Sequence, residues 1–215
     1  MQEKKIVVLI SGSGSNLQAF IDFEKEQKLG GKIVAVLSNK KDVVGLTRAK
    51  RAAIDTIIIE HSKFNSRQAF DQAMADEINN YQPDLVILAG FMRILTPDFV
   101  KIFNGKLLNI HPSLLPKYPG LHTHKKALEN KDEFHGTSVH FVTEKLDGGP
   151  LIAQAKMALE NSHSEQQVMA RIQKLEHQLY PQVAAWYLNG RLKLEKDGVY
   201  FDHKKLQQPI ILTQV

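Results

Sequence analysis

Cysteine is absent from the 215 residues, which rules out disulfides, thiolate nucleophiles and zinc–thiolate centres. No apolar run approaches the roughly 20 residues that span a bilayer. Met1 to Lys5 is polar, and Ile6 to Ile10 is too short for a signal-peptide core. A dense basic run interleaved with aromatics is also missing, although the net charge is +5 and the pI is near 9.2. The lysines (Lys4, Lys5, Lys40, Lys41, Lys125, Lys126, Lys204, Lys205) are scattered as on a solvated surface, which argues against a nucleic-acid face. A basic excess without a patch suits small anionic substrates. No repeat, low-complexity stretch or interdomain linker is visible. The expectation is a cytoplasmic protein with neither a membrane nor a nucleic-acid partner, as a monomer or homodimer.

Hydrophobic residues make up 43% and charged residues 24% of the chain, enough for an ordinary globular core. Short apolar runs alternate with helical patterns. Lys5 to Ile10, Ile33 to Leu37, Thr56 to Ile59, Leu85 to Leu88 and Lys106 to Ile110 read as strands. Between them, Ser15 to Lys28, Val44 to Ala53, Ser66 to Tyr81 and Pro97 to Phe103 read as helices. Pro112 to Gly120 must be loop, and His122 to Asn130 a short helix. Thr137 to Val142 and Leu151 to Met157 are strands flanking the turn Asp147-Gly-Gly-Pro150. Ser164 to Asn189 is one long helix, interrupted or bent near Pro181. Arg191 to Val215 reads as a small hairpin plus an extended end. The fold class is therefore α/β, a single Rossmann-like domain whose mostly parallel central sheet carries helices on both faces. Residues 1–190 form the main unit, and 191–215 an extension packed on it.

The first strand runs into Ser11-Gly-Ser-Gly-Ser-Asn16 and then a helix. Glycines allow close backbone approach, and a helix start presents N–H groups and a positive dipole end, which favours a phosphate. Leu17 stands where a dinucleotide fingerprint needs its third glycine, and no Gly-Lys-Ser/Thr follows. The alternative is a tight turn capped by Ser15.

Leu107-Leu-Asn-Ile-His111 ends a strand at Pro112. Asn109 and His111 point to one face because side chains alternate, and both sit at a carboxyl end, where ligands of open α/β sheets collect. An Asn amide can donate to a developing oxyanion. An imidazole can move protons or, if protonated, stabilise the same oxyanion. The alternative is an Asn and a His that satisfy loop carbonyls. Asp147, in a glycine-rich turn, has the chemistry to orient or charge His111, which spacing alone leaves open. His122, His124, His135 and His140 raise metal ligation as a rival. Leu121-His-Thr-His124 lacks the helical His-x-x-x-His spacing and has no carboxylate at a ligand offset, so no metal is expected.

Five segments carry a resemblance. They are Ile6-Val-Val-Leu-Ile-Ser-Gly-Ser-Gly-Ser-Asn-Leu-Gln18, Leu88-Ala-Gly-Phe-Met-Arg-Ile-Leu95, Leu108-Asn-Ile-His-Pro-Ser-Leu-Leu-Pro-Lys-Tyr-Pro-Gly-Leu-His122, Gly136-Thr-Ser-Val-His140 and Leu146-Asp-Gly-Gly-Pro150. In this order the chain closely resembles the folate-dependent phosphoribosylglycinamide formyltransferases of purine synthesis. The resemblance implies the formyltransferase fold and transfer of a formyl group from 10-formyltetrahydrofolate, a co-substrate, to the amine of phosphoribosylglycinamide. It implies Asn109, His111 and Asp147 as the catalytic trio, and Gly14, Ser15 and Asn16 at the substrate phosphate. It further implies Gln173 and Glu176 at the ribose or glycinamide, and Arg67, Met92, Arg93, Ile94, Leu95 and Asn109 around the folate. Both ligands are anionic, which gives the basic balance a use. Formyl transfer to methionyl-tRNA, hydrolysis of formyltetrahydrofolate and a non-enzymatic binding module are the rival functions. The first two usually bring a further C-terminal or N-terminal domain.

Overall fold

The computed structural model describes residues 3–160 and 162–213. Residues 1, 2, 161, 214 and 215, which fall in the two expected segments, lie outside the described residues. The first half alternates strand and helix as its apolar pattern dictates: β1 (Lys5–Ile10), α1 (Ser15–Lys25), β2 (Lys32–Ser38), α2 (Val44–Arg51), β3 (Asp55–Ile58), α3 (Arg67–Asn80), β4 (Leu85–Leu88), α4 (Pro97–Ile102) and β5 (Leu107–His111). After it come α5 (Thr123–Glu129), β6 (Phe134–Phe141), β7 (Leu151–Ala158), α6 (Glu165–Leu188), β8 (Leu192–Glu195), β9 (Gly198–Phe201), β10 (Lys204–Lys205) and β11 (Ile210–Thr213).

Eight strands form one sheet in the order β11-β7-β6-β5-β4-β1-β2-β3. The pairs β1–β2, β2–β3, β1–β4, β4–β5 and β7–β11 are parallel, whereas β5–β6 and β6–β7 are antiparallel. The sheet is mostly parallel, as expected, but β6 runs against its neighbours. Apolar periodicity identifies a strand and leaves its direction open.

Alternation along β1 divides the core between the two faces. Ile6, Val8 and Ile10 pack with Leu17, Phe20 and Ile21 of α1, Leu46 and Ala49 of α2 and the apolar side of α6. Val7 and Leu9 pack on the other face with Phe70, Met74 and Ile78 of α3 and Phe99 and Val100 of α4. All five side chains from Ile6 to Ile10 are fully buried, and each contributes about 1.5–3 kcal/mol of transfer free energy. That two-sided burial explains why β1 reads as a continuous apolar run.

α6 starts on a capping box: the Ser164 side chain accepts from Gln167 N, and Gln167 reaches back to the Ser164 N–H. The helix runs unbroken through Pro181, which corrects the expected interruption. Pro181 cannot donate to the preceding turn, but it and Tyr180 are buried against the sheet, and packing outweighs the missing bond. The tail supplies a small antiparallel sheet, β10-β9-β8, and then β11, which joins the main sheet beside β7. Trp186 of α6 stacks edge-on against Phe201 of β9 at 4.9 Å.

Strand order reverses between β1 and β4. Chain continuation goes one way to β2 and β3 and the other way to β4 and β5. A crevice opens at such a switch point, at the carboxyl ends of the strands. The loops after β1, β4 and β5 all lie there.

Candidate active site

The loop after β1 enters α1 through Gly14, which is the N-cap in a left-handed conformation with φ 67° and makes no side-chain cap bond. Ser15 is thus the first helical residue and not the cap. The tight-turn alternative had it as the cap. A Cβ on Gly14 would lie 2.6 Å from the Gly45 Cα, so glycine is required there by both backbone angle and close approach. Gly45 N donates to Gly12 O at 3.1 Å, and Arg48 Nε donates to Ser13 O at 2.9 Å. The loop is pinned from behind by α2, with a guanidinium beside it.

The long helix α6 meets this loop side chain to side chain. Gln173 Nε2 donates to Ser15 Oγ at 2.8 Å, and Asn16 Nδ2 donates to Glu176 Oε2 at 3.0 Å. Four residues expected around the phosphate and ribose are therefore neighbours, across about 160 positions of sequence. Burial pushes the Glu176 carboxyl up to about 7, against the lowering effect of the Asn16 amide. Asn16 is itself buried, and its Oδ1 is enclosed without a hydrogen-bond partner.

The end of β5 carries the second group. Asn109 is half-buried and His111 buried. Asp147, in the loop between β6 and β7, places Oδ2 3.4 Å from His111 Nδ1. The same Oδ2 accepts from Gly120 N at 2.9 Å. On the other edge of the imidazole, His111 Nε2 lies 2.8 Å from the Tyr118 carbonyl. A carbonyl only accepts, so Nε2 holds a proton, and Nδ1 is the edge left for Asp147 and the cleft. Tyr118, His122 and Asp147 have positive φ of 55°, 61° and 48°. Non-glycine residues held in that region mark a backbone constrained by its surroundings.

His140, on β6, completes the geometry. The antiparallel register sets it opposite Asn109. Its Nδ1 faces the Phe141 carbonyl at 2.8 Å, and its Nε2 lies 3.2 Å from Asn109 Nδ2. Burial lowers its basicity, outweighing the Phe141 carbonyl and Asp147, so the ring is neutral at pH 7. Nδ1–H then donates to the carbonyl, Nε2 accepts from the Asn109 amide, and the amide nitrogen is fixed in one orientation. A Cβ on Gly149 would collide with the same Phe141 carbonyl.

The loop after β4 supplies the outer wall. Leu88, Phe91, Arg93, Ile94 and Leu95 line a cleft of about 100 Å³ with Asn109, His140 and the segment 142–147. Met92 and Ile94 are exposed, at 70% and 51%, and Leu95 is buried. Ser11 Oγ donates to Asn39 Oδ1 at 2.7 Å and accepts from Met92 N at 2.8 Å, which ties the first loop to this wall. Arg93 covers the Phe70 ring at 4.9 Å, and Arg67 is exposed at the first position of the same helix, α3. A larger groove of about 430 Å³, between α1 and α2, holds none of these groups except Arg48 and Gln18.

Sequence reasoning gave no role to Arg48 or Tyr118, took Ser11 only as the start of the phosphate loop and weighed His140 only among the clustered histidines. An alternation signal existed for His140, because Ser138 and His140 share a strand face, but only the pairing register shows that this face meets Asn109. Two of the other clustered histidines face each other instead: His124 Nδ1 and His135 Nε2 are 3.0 Å apart and bond to each other. Burial, helped by His124, pushes His135 down to about 4.

A neutral amide donor beside a carboxylate that faces an imidazole is a combination able to serve acyl transfer. Residues 4–184 match the model of the formyl transferase family, and the chain belongs to that family. It is 57% identical over 201 residues to the phosphoribosylglycinamide formyltransferase of Escherichia coli (strain K12), covering 94% of this chain and 95% of that protein. It is 40% identical to the trifunctional purine biosynthetic protein adenosine-3 of Homo sapiens, over 92% of this chain and 20% of that protein. The solved phosphoribosylglycinamide formyltransferase of Coxiella burnetii superposes with a TM-score of 0.94 at 44% identity, covering 98% of this chain and 100% of that one.

Proposed function

We propose that this chain transfers the formyl group of 10-formyltetrahydrofolate to the amine of 5-phosphoribosylglycinamide, giving the N-formyl product and tetrahydrofolate for purine synthesis. The observation that carries the reading is the cleft that Asp147 shares with the His140-oriented Asn109 amide, with His111 Nδ1 3.4 Å from Asp147 Oδ2. The similarity to proteins named for this reaction supports it. The amine attacks the formyl carbon, and the carbonyl oxygen becomes an oxyanion. Asn109 Nδ2 donates to that oxygen, and the Nδ1 edge of an imidazolium His111 faces it. Asp147 stabilises the imidazolium and is held by the Gly120 N–H. Collapse expels the folate nitrogen, which takes up a proton as the amine loses one.

In this reading Gly14, Ser15 and Asn16 hold the phosphate, and Gln173 and Glu176 the ribose and glycinamide. Met92, Ile94 and Leu95 wall the folate ring, Asn109 reaches it, and Arg67 and Arg93 meet its anionic end. Residues 1–190 are the catalytic unit, which residues 191–215 extend. The enzyme works in the cytoplasm, as a monomer or homodimer, on small anionic substrates without a metal.

A formyl-transfer assay tests the proposal. Absorbance follows deformylated folate with and without phosphoribosylglycinamide, and turnover that strictly requires the ribonucleotide is expected. Formate release without it would make the protein a hydrolase, and turnover only with methionyl-tRNA would move the acceptor.

A further inference from the structure

The loop from Lys117 to Gly120 touches two members of the trio at once. The carbonyl of Tyr118 receives His111 Nε2, and two residues on the N–H of Gly120 binds Asp147 Oδ2. The positions of the imidazole and the carboxylate therefore both depend on where this short segment sits. Its backbone does not rest in a relaxed state, because Tyr118 is left-handed with φ 55°. Something outside the loop must hold it there.

The Tyr118 side chain is that hold. Its hydroxyl donates to Asp132 Oδ2 at 2.9 Å and accepts from Asn130 Nδ2 at 2.9 Å. Lys117 Nζ donates to the other carboxylate oxygen of Asp132 at 3.0 Å, and Lys117 O accepts from Ser113 Oγ at 2.6 Å. Burial works against the Asp132 carboxylate, but the bonds from Lys117 and Tyr118 outweigh it and keep its pKa below the usual carboxylate range. None of these side chains belongs to the sites assigned above. Asp132 and Asn130 lie in the connection between α5 and β6, so they fasten the loop to an element that begins beside the site.

We propose that Tyr118 and Asp132 are positioning residues, whose side-chain bond holds the Tyr118 carbonyl and the Gly120 N–H where His111 and Asp147 need them. The reading of His111 and Asp147 as reacting groups comes from the proposed formyl transfer. The anchoring itself is a property of the free protein.

Two variants test it: Tyr118→Phe, which removes only the hydroxyl, and Asp132→Asn, which keeps the volume and removes the charge. The first readout is the His111 Nε2 proton in the imidazole region of the NMR spectrum of the free protein, assigned by its loss in His111→Gln. In both variants its exchange with solvent is expected to quicken by about tenfold or more and its downfield shift to shrink, because the accepting carbonyl has moved. The second readout is turnover with formylfolate and phosphoribosylglycinamide. A misplacement on the ångström scale lowers kcat about 10- to 100-fold, with KM for both substrates within about twofold of wild type.

The two variants together should lose less than the sum of the single losses, since both disturb the Tyr118–Asp132 bond they share. An unchanged His111 proton in a folded variant overturns the proposal, as does a loss confined to KM or a kcat equal to wild type. If Tyr118→Phe does not fold, Asp132→Asn is read by the same criteria. If neither protein nor variant transfers formyl while the His111 proton responds as expected, the anchor stands and the substrate assignment falls.

Discussion

At the scale of single residues, the site works by committing polar atoms. His140 spends its proton on a carbonyl and its lone pair on Asn109, so the Asn109 amide presents nitrogen to the cleft. His111 commits Nε2 to Tyr118 and turns Nδ1 toward Asp147, the edge that the proposed formyl transfer uses. Removing one oxyanion donor typically costs about 10²–10³ in turnover. Asn109→Ala and His111→Ala should lose kcat on that scale with little change in KM, and a steady-state comparison with wild type checks it. Gly14→Val is a poor probe of phosphate binding, because the added Cβ would strike Gly45 and disturb α2 as well.

Glu176 is a different residue-scale device. Its folded pKa is raised from 4.5 to about 7 because burial disfavours the anion. The unfolded chain therefore ionises first as pH rises. The stability this residue contributes is full below about 4.5 and is lost progressively up to about 7, by up to about 3 kcal/mol. Glu176→Gln removes the titration. Urea midpoints at pH 5 and pH 8 should show the wild type losing more stability than the variant over that interval. Parallel loss in both proteins would mean that Glu176 is ionised throughout.

At the scale of elements, α6 does more than cover a face. The buried Tyr180 hydroxyl lies 3.2 Å from Leu88 O and 2.8 Å from Leu108 O, bridging the end of β4 and the start of β5. One hydroxyl proton cannot fully serve both carbonyls, and the shorter bond is the dominant one. Tyr180→Phe should cost about 1–2 kcal/mol, read as a lower urea midpoint with an unchanged slope. Most of this layer was legible in the sequence. β1, β2, β4 and β5 announce themselves as short apolar runs, and α3 by its Ser66 start and the Pro83 after it. Two things were not legible. The direction of β6 depends on how its neighbours pair, which no local pattern records. The hydrogen bonds of Tyr118 arise in a proline-rich loop whose composition says only that it is irregular. Of the site, the residue types and the face shared by Asn109 and His111 could be read in advance. The links Ser15–Gln173 and Asn16–Glu176 required the packing of α1 on α6 to be known.

At the scale of the whole molecule, the sheet is closed by its tail. β11 adds a fifth parallel pairing at an edge that β7 would otherwise expose, with Ile210 paired to Ala153 and Leu212 to Ala155. Ile210 and Leu212 also pack against the core. A chain ending at Leu206 should melt several degrees lower and self-associate as concentration rises, because an uncovered strand edge recruits partners. Melting curves and light scattering over a concentration series measure both effects. Equal melting and no association would mean that β11 is dispensable. Among the described residues no helix is long and apolar enough to cross a membrane.

Asn109, His111, Tyr118, Asp132, His140 and Asp147 fall within one stretch of fewer than 40 residues, whereas the Ser15–Gln173 and Asn16–Glu176 bonds join opposite ends of the chain. In the proposed function, the groups around the reacting carbon thus come from one contiguous stretch, whereas the acceptor side is assembled from remote parts. A designer seeking a new amine acceptor can vary Ser15 and Asn16 together with Gln173 and Glu176, leaving Gly14 in place, as a pair of cooperating surfaces. The stretch that handles the formyl group need not be opened.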